Sequence, residues 1–154
     1  MTMFMTCFFK EAVKLENLVF LAGFLHLFQL PAALVFAPKM LNWKEDFAKL
    51  TAMNRTIFNM LGGGILLASV GAGVVVLVAP AEVAGGSRLG TAFCGYLALM
   101  WLHRAWIQIF VYSSLWPGGR IGRLSYYGLL TSLTVKTGIY SMAFVLGLMK
   151  LWIS

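Results

Sequence analysis

Four long apolar stretches dominate this chain, and they constrain its fold more than any other feature. They cover approximately residues 17–37, 56–80, 89–115 and 124–150. A helix needs about 20 mostly apolar residues to cross the hydrocarbon core of a bilayer, and each stretch meets that length. A membrane β-barrel would instead show short segments in which apolar and polar residues alternate. We therefore predict four transmembrane helices.

The composition agrees with a membrane protein. Of the 154 residues, 60% are hydrophobic and 11% are charged, whereas about 25% of the residues of an ordinary soluble domain are charged. The formal net charge of +7 is explained by basic loops that face anionic lipid headgroups. We therefore expect membrane lipids as partners and expect no nucleic acid.

The connections between the apolar stretches indicate how the helices are arranged. The segments 80–88 and 116–123 are short and rich in Gly and Pro, which is typical of tight turns between antiparallel neighbours. Two further segments, approximately 3–15 and 39–52, place apolar and charged residues on opposite helical faces, as helices in the membrane interface do. The predicted fold is all-α: a single transmembrane domain, 1–154, with an up-down-up-down four-helix bundle and these two amphipathic interfacial segments.

The second predicted helix has a face of small residues. Gly64, Ala68 and Ala72 repeat at intervals of four, and Ser69 and Gly73 lie on an adjacent face. Small residues allow helix backbones to approach closely in a membrane. We expect this face to pack inside the bundle rather than to form a dimer interface.

The distribution of Lys and Arg favours one orientation in the membrane. The first and third connections contain six of these residues: Lys39, Lys44, Lys49, Arg55, Arg120 and Arg123. The opposite side contains four: Lys10, Lys14, Arg88 and Lys150. Because cytoplasmic loops carry an excess of Lys and Arg, we expect both termini to lie outside the cytoplasm.

Ionisable residues interrupt three of the apolar stretches near their middle. His26 lies in the first stretch, His103 and Arg104 lie in the third, and Lys136 lies in the fourth. None of the four stretches contains Asp or Glu. A charged group at the centre of a bilayer is costly, so such residues usually face the bundle interior and have a partner. The sequence therefore predicts a polar pocket at mid-depth.

Other polar residues share these helices and complete the predicted pocket. Pro31 deprives the carbonyl of Leu27 of its usual hydrogen bond, which places a bend and a free acceptor near His26 and Gln29. The predicted pocket residues are His26, Gln29, Trp101, His103, Arg104, Gln108, Lys136 and Tyr140. We expect Arg104 to point into the bundle and to donate to Gln108, to Tyr140, to the carbonyl near Pro31 or to a ligand oxygen.

The pocket lacks an obvious set of catalytic groups. The chain contains no CxxC, HExxH, Walker A or GxSxG motif, and it has only two Cys, Cys7 and Cys94. We therefore predict a non-catalytic accessory or assembly subunit of a larger membrane complex, with other membrane subunits or a second copy as partners. Its pocket would bind a lipid, a quinone or another carbonyl-bearing cofactor.

Two alternatives remain open at this point. His26 and His103 lie near mid-depth on helices that run in the same direction, so they could ligate a b-type haem whose propionates pair with Arg104 or Lys136. The chain could also form a small anion transporter or channel in which Arg104 and Lys136 attract the anion. The second alternative has no support from repeat symmetry or from a pair of broken helices.

Two short groups of residues resemble a known class of protein. They are Leu41-Asn42-Trp43 after the first predicted helix, and Trp101, Arg104 and Gln108 in the third. Taken together they resemble the pattern of uncharacterised small four-helix bacterial membrane proteins, over most of the chain. The resemblance implies a protein of the bacterial inner membrane, and it implies no activity.

Overall fold

The computed structural model of this chain describes residues 2–153, and the side chains of residues 14–29, 34–39 and 41–153. Within this part the chain forms seven helices and no strand, which confirms the all-α prediction. The helices are α1 (Thr2–Met40), α2 (Trp43–Lys49), α3 (Ala52–Val78), α4 (Pro80–Ala84), α5 (Arg88–Phe110), α6 (Tyr112–Leu115) and α7 (Gly119–Ile153).

Three of the described helices are long and apolar enough to cross a membrane. They are Lys14–Lys39 within α1, Ala52–Val78, and Gly119–Ile153. Helix α5 has 23 residues, a length of about 35 Å, but His103 and Arg104 reduce its apolar character and it is not among the three. The fourth predicted span therefore stays a prediction.

The first helix differs from its predicted bounds. The interfacial segment 3–15 and the span 17–37 form one continuous helix of 39 residues. Residues 3–22 contain neither Gly nor Pro, so nothing in the sequence ends a helix there. The predicted contact of residues 3–13 with the membrane interface, and the predicted bend at Pro31, lie outside the described side chains.

Local features of the sequence divide the other predicted segments into shorter helices. Only seven residues of the predicted interfacial segment 39–52 form α2, which follows Asn42 in a left-handed backbone conformation, φ 50°. Pro80 begins α4 directly after α3 ends, and the predicted helix 89–115 is divided at Val111 into α5 and α6. Helix α7 is longer at both ends than the predicted 124–150. It begins at Gly119, whose positive φ of 87° is a backbone conformation that favours glycine.

The most extensive helix contact joins α5 and α7, which run antiparallel. At one level Gly95 faces Phe144, and a side chain on Gly95 would come within 2.9 Å of that ring. At another level the Tyr126 hydroxyl donates to the backbone carbonyl of Gln108 at 3.0 Å. Residue numbers fall along α7 as they rise along α5, so these helices form a hairpin with α1 packed against α7.

Helix α3 packs against α1 through glycine on both sides. A side chain on Gly23 would meet Val76 at 2.6 Å, and a side chain on Gly73 would meet Leu27 at 2.7 Å. These close contacts lie in the second half of α3, whereas residues 51–65 are all exposed. The helix therefore touches α1 over only part of its length.

Two predictions about α3 are wrong. Helices α3 and α5 were expected to be packed neighbours, but α4 lies between them in the chain and packs against α1 and α5. The face of Gly64, Ala68 and Ala72 was expected to pack inside the bundle; Ala72 does pack against the core, but Ala68 is exposed and a side chain on Gly64 would have nothing within 4 Å. The adjacent face of α3, which contains Gly73, packs against α1 instead, because α1 has Gly23 at that level.

The glycine contact between α1 and α3 leads to a stability prediction. Replacing Gly73 with Leu should lower the free energy of unfolding by about 1–3 kcal/mol, because the new side chain must displace Leu27. Unfolding can be followed by circular dichroism as sodium dodecyl sulfate is added to protein in dodecyl maltoside. Gly64→Leu is the matched control on the same helix and should cause no such loss. Equal losses in the two variants would contradict the contact.

Candidate binding site

An apolar groove runs between α1 and α7 and has a volume of about 500 Å³. This size lies within the range of small-molecule pockets, roughly 300–1,000 Å³. Its walls are formed by Leu25, Phe28, Gln29, Phe36, Ala37, Leu41, Trp116, Ile121, Ser125, Gly128, Leu129 and Ser132. Phe28, Phe36 and Ile121 are largely exposed, so the groove is open along its outer side.

The groove extends over only part of the two helices. Its outer end, which we call the mouth, lies at Leu41, Trp116 and Ile121, and its inner end lies at Gln29 and Ser132. Trp116 is held in place because its Nε1 donates to the carbonyl of Gly122 at 3.0 Å and to the Ser125 hydroxyl at 3.2 Å. The groove is therefore a recess that stops near the middle of α7 rather than a path across the bundle.

Small residues on one face of α7 make room for the groove. Three small residues, Ser125, Gly128 and Ser132, follow Ile121 at helical intervals of four, three and four. Gly128 is exposed, and a side chain there would have nothing within 4 Å. The next residue on this face is Lys136. The sequence contains this row of residues leading to Lys136, but the pattern by itself did not predict that it forms the wall of a binding site.

The inner end of the groove is polar. The Ser132 hydroxyl donates to Oε1 of Gln29 at 3.2 Å, and Nζ of Lys136 donates to the same oxygen. Ser132 and Lys136 are one helical turn apart, so both reach a single acceptor on the neighbouring helix. These hydrogen bonds connect α7 to α1.

Lys136 is fully buried between three helices. Its Nζ lies 3.4 Å from the centroid of the Trp101 ring on α5, which is a cation–π contact. Both of its partners, the Gln29 amide and the Trp101 ring, are uncharged. The apolar stretches contain no carboxylate, so this buried amine has no acidic partner within them.

His26 extends the buried polar cluster towards α1 and α3. Its ring lies edge-on to Trp101 with the centroids 4.6 Å apart, and the side chain is fully buried. Several buried polar atoms have no hydrogen-bond partner within the described part of the chain: both ring nitrogens of His26, Nε1 of Trp101, Nε2 of Gln108, the Tyr140 hydroxyl and the Thr91 hydroxyl. Such atoms are rare in folded proteins, which marks this region as unusual.

The predicted pocket residues divide into two groups. Contacts join His26, Gln29, Trp101 and Lys136 into one cluster. Tyr140 and Gln108 are also buried, and they lie on the same faces of α7 and α5 as Lys136 and Trp101. His103 and Arg104, in contrast, are exposed.

The prediction that Arg104 points into the bundle is wrong. The buried face of α5 is formed by Trp101, Ala105 and Gln108, and Arg104 lies at the margin of that face because successive residues turn by 100°. Arg104 is exposed and makes no hydrogen bond within the part of the chain that the structure describes. The buried cation is therefore Lys136.

The structure does not bring His26 and His103 together. His103 is exposed, and it lies about 200° around α5 from Trp101, the residue that contacts His26. The two imidazoles therefore face away from each other, and this arrangement is incompatible with one haem ligated by both within a single chain.

No protein family model, no curated protein and no solved structure matches this chain. The resemblance to small four-helix bacterial membrane proteins therefore stays a prediction.

The shared acceptor of Ser132 and Lys136 leads to a second prediction. Gln29→Leu should lower the free energy of unfolding by about 3 kcal/mol, because it leaves a buried cation without its acceptor. Lys136→Met should cost less, about 1 kcal/mol, because it removes the charge together with the need for a partner. The double variant should resemble Lys136→Met alone, with unfolding measured by circular dichroism in mixed micelles.

Thr134→Val is a suitable control for this pair, because Thr134 is exposed and bonds only to its own helix at the carbonyl of Leu130. It should leave the stability unchanged. Additive losses from Gln29→Leu and Lys136→Met would show that the two side chains do not interact, contrary to the geometry.

Proposed function

We propose that this protein is an integral membrane protein with four transmembrane helices whose groove binds a lipid, a quinone or another carbonyl-bearing amphipathic cofactor. The observation that carries this proposal is the combination of apolar walls with a polar inner end at Gln29 and Ser132. Such a groove matches a ligand that has a long apolar part and a small hydrogen-bonding head. The open side of the groove allows that ligand to enter from the bilayer.

The proposal includes α5 as the fourth span. This helix forms a long antiparallel hairpin with α7, which is itself a candidate span. A helix that packs along a spanning helix lies at the same depth and must satisfy its backbone in the same way. Its polar residues Trp101 and Gln108 face the protein interior, where they do not meet lipid.

The proposed role is binding and assembly rather than catalysis. The polar side chains that line the groove are Gln29, Ser125 and Ser132. They can orient a head group by hydrogen bonds, but none of them is a carboxylate or an imidazole that would move a proton in a reaction. The proposed location is the bacterial inner membrane, as the resemblance implies, with both termini outside the cytoplasm because of the distribution of Lys and Arg.

Blocking the groove tests ligand binding. Gly128→Leu should fill the space beside Leu129 and remove at least about 90% of the ligand that copurifies in mild detergent, because the added side chain occupies the groove. Native mass spectrometry and organic extraction of the purified protein measure the loss.

Gly138→Leu provides the matched control. Gly138 lies on the same helix, is also exposed, has nothing within 4 Å and does not line the groove. It should retain the ligand. If both variants keep the ligand, or if the native protein carries none and binds none that is added, the proposed function is wrong.

A role in assembly is supported by the exposed charge on α5. Arg104 lies one turn from Trp101, at the depth of the buried cluster, and a charged group there needs a partner. A second copy of this chain cannot provide a carboxylate at that depth, because its acidic residues are Glu11, Glu16, Glu45, Asp46 and Glu82. We infer that Arg104 meets another membrane protein that has a carboxylate within the bilayer.

Photo-crosslinking in native membranes tests this contact. A benzoylphenylalanine at Val111, which is exposed and lies on the same side of the helix about two turns from Arg104, should give an adduct with a different protein. Arg104→Leu should abolish that adduct and Arg104→Lys should retain it, because Lys keeps the charge. The same probe at Leu67, which is exposed on α3, is the control. Adducts between copies of this chain only, or an adduct unaffected by Arg104→Leu, would refute the inferred partner.

A further inference from the structure

The hydrogen bond that joins the two walls of the groove lies at its inner end, and this determines how a ligand must enter. Ser125, nearer the mouth, is already bonded to Trp116 and to the carbonyl of Gly122. Gln29 and Ser132 lie at the inner end, near the middle of α7, and Phe36 and Ile121 form apolar walls towards the mouth. An ordinary phospholipid keeps its charged head at the membrane surface, which would leave apolar chain against the polar inner end. The arrangement fits a ligand whose polar part is uncharged enough to be buried at mid-depth.

The hydrogen-bond donors at the inner end of the groove determine which ligand atom can bind there. Oε1 of Gln29 receives hydrogen bonds from both Ser132 and Lys136, so an uncharged carbonyl oxygen already occupies the position between these two donors. An ammonium group has three N–H donors, of which Gln29 accepts one. Ser132 has a single O–H donor, which Gln29 also accepts. A carbonyl oxygen of a ligand in the groove can therefore bind both donors by taking the place of Oε1 of Gln29.

The walls of the groove favour a flat ring. Phe28, next to Gln29, provides an aromatic face near the inner end, and Gly128 adds no side chain of its own. Behind the inner end, Nε1 of Trp101 and the ring nitrogens of His26 are buried without a partner among the described residues. A flat ring that carries a carbonyl oxygen has the shape and the acceptor that the inner end of the groove can use.

We propose that the ligand is a lipid-soluble quinone that inserts its ring into the inner end of the groove, with one carbonyl oxygen replacing Oε1 of Gln29 as the acceptor of the hydrogen bonds from Ser132 and Lys136. The apolar tail leaves the groove between α1 and α7, past the exposed rings of Phe28 and Phe36. This inference rests on the proposed function, and it adds the class of the ligand and its direction in the groove. It describes binding only and includes no electron transfer.

Tryptophan fluorescence tests both the class of the ligand and its direction in the groove, because a quinone ring quenches a nearby indole. The chain has five Trp, and they lie at Trp43, Trp101, Trp106, Trp116 and Trp152. Full-length variants that keep only Trp101, only Trp116 or only Trp152 are titrated with decylubiquinone in dodecyl maltoside. The Trp101 variant should show strong, saturable quenching, since Trp101 contacts Lys136, and the exposed Trp152 at the end of α7 should show no saturable quenching.

Variants of the donors test the hydrogen bonds independently of the Trp replacements. In the otherwise unchanged chain, Ser132→Ala should weaken decylubiquinone binding about fivefold, and Lys136→Met should weaken it by at least about tenfold. Thr134→Ala, on the same helix but bonded to its own backbone, should leave the Kd unchanged. Equal binding by Ser132→Ala and Thr134→Ala would overturn the proposal even if the single-Trp variants did not fold.

The remaining outcomes separate this inference from the proposed function. Quenching of the Trp116 variant but not of the Trp101 variant would show that the ring stays at the mouth, which overturns the direction but not the binding. Quenching of the original chain by dibromostearate, a brominated fatty acid, without saturable quenching by decylubiquinone would overturn the class of ligand. If neither probe bound, both this inference and the proposed groove function would fail.

Discussion

The structure depends on how the buried side chain of Lys136 is accommodated. Its Nζ donates to Gln29 on α1 and lies over the Trp101 ring of α5, so one side chain of α7 contacts both neighbouring helices. A buried cation that loses a partner is strongly destabilising, which means that these three helices must keep their relative positions. His26 packs against the other side of this arrangement through Trp101.

The groove is a consequence of the same contact. Lys136 holds α1 and α7 together near their middle, and from there towards the start of α7 the facing residues are small, with Ser132 followed by Gly128 and Ser125. Two helices that meet at one point but lack large side chains beyond it leave space between them. The polar end and most of the apolar walls of the candidate site therefore come from one pair of helices, and Trp116 is held at the mouth by its two hydrogen bonds.

The sequence predicted which residues form the buried cluster, but it did not predict the geometry of that cluster. His26, Gln29, Trp101 and Lys136 were expected in a pocket because polar residues in apolar helices need partners, and they do lie in contact with each other. Arg104 was assigned the central role that Lys136 has, because a helical pattern shows which residues share a face but not which face meets the neighbouring helix. The groove itself was not predicted, since it requires the spacing of two helices that are about a hundred residues apart in the chain.

The sequence by itself determined the helical class and the presence of segments able to cross a membrane, because length and apolar composition are local properties that no distant contact can alter. It also determined that charges inside these segments would lack internal carboxylates. Only the tertiary structure decided which ionisable group is buried, that α3 packs on α1 through Gly73, and that a recess opens between α1 and α7. These features depend on the rotation of each helix about its axis, and packing between helices sets that rotation after the local pattern has formed each helix.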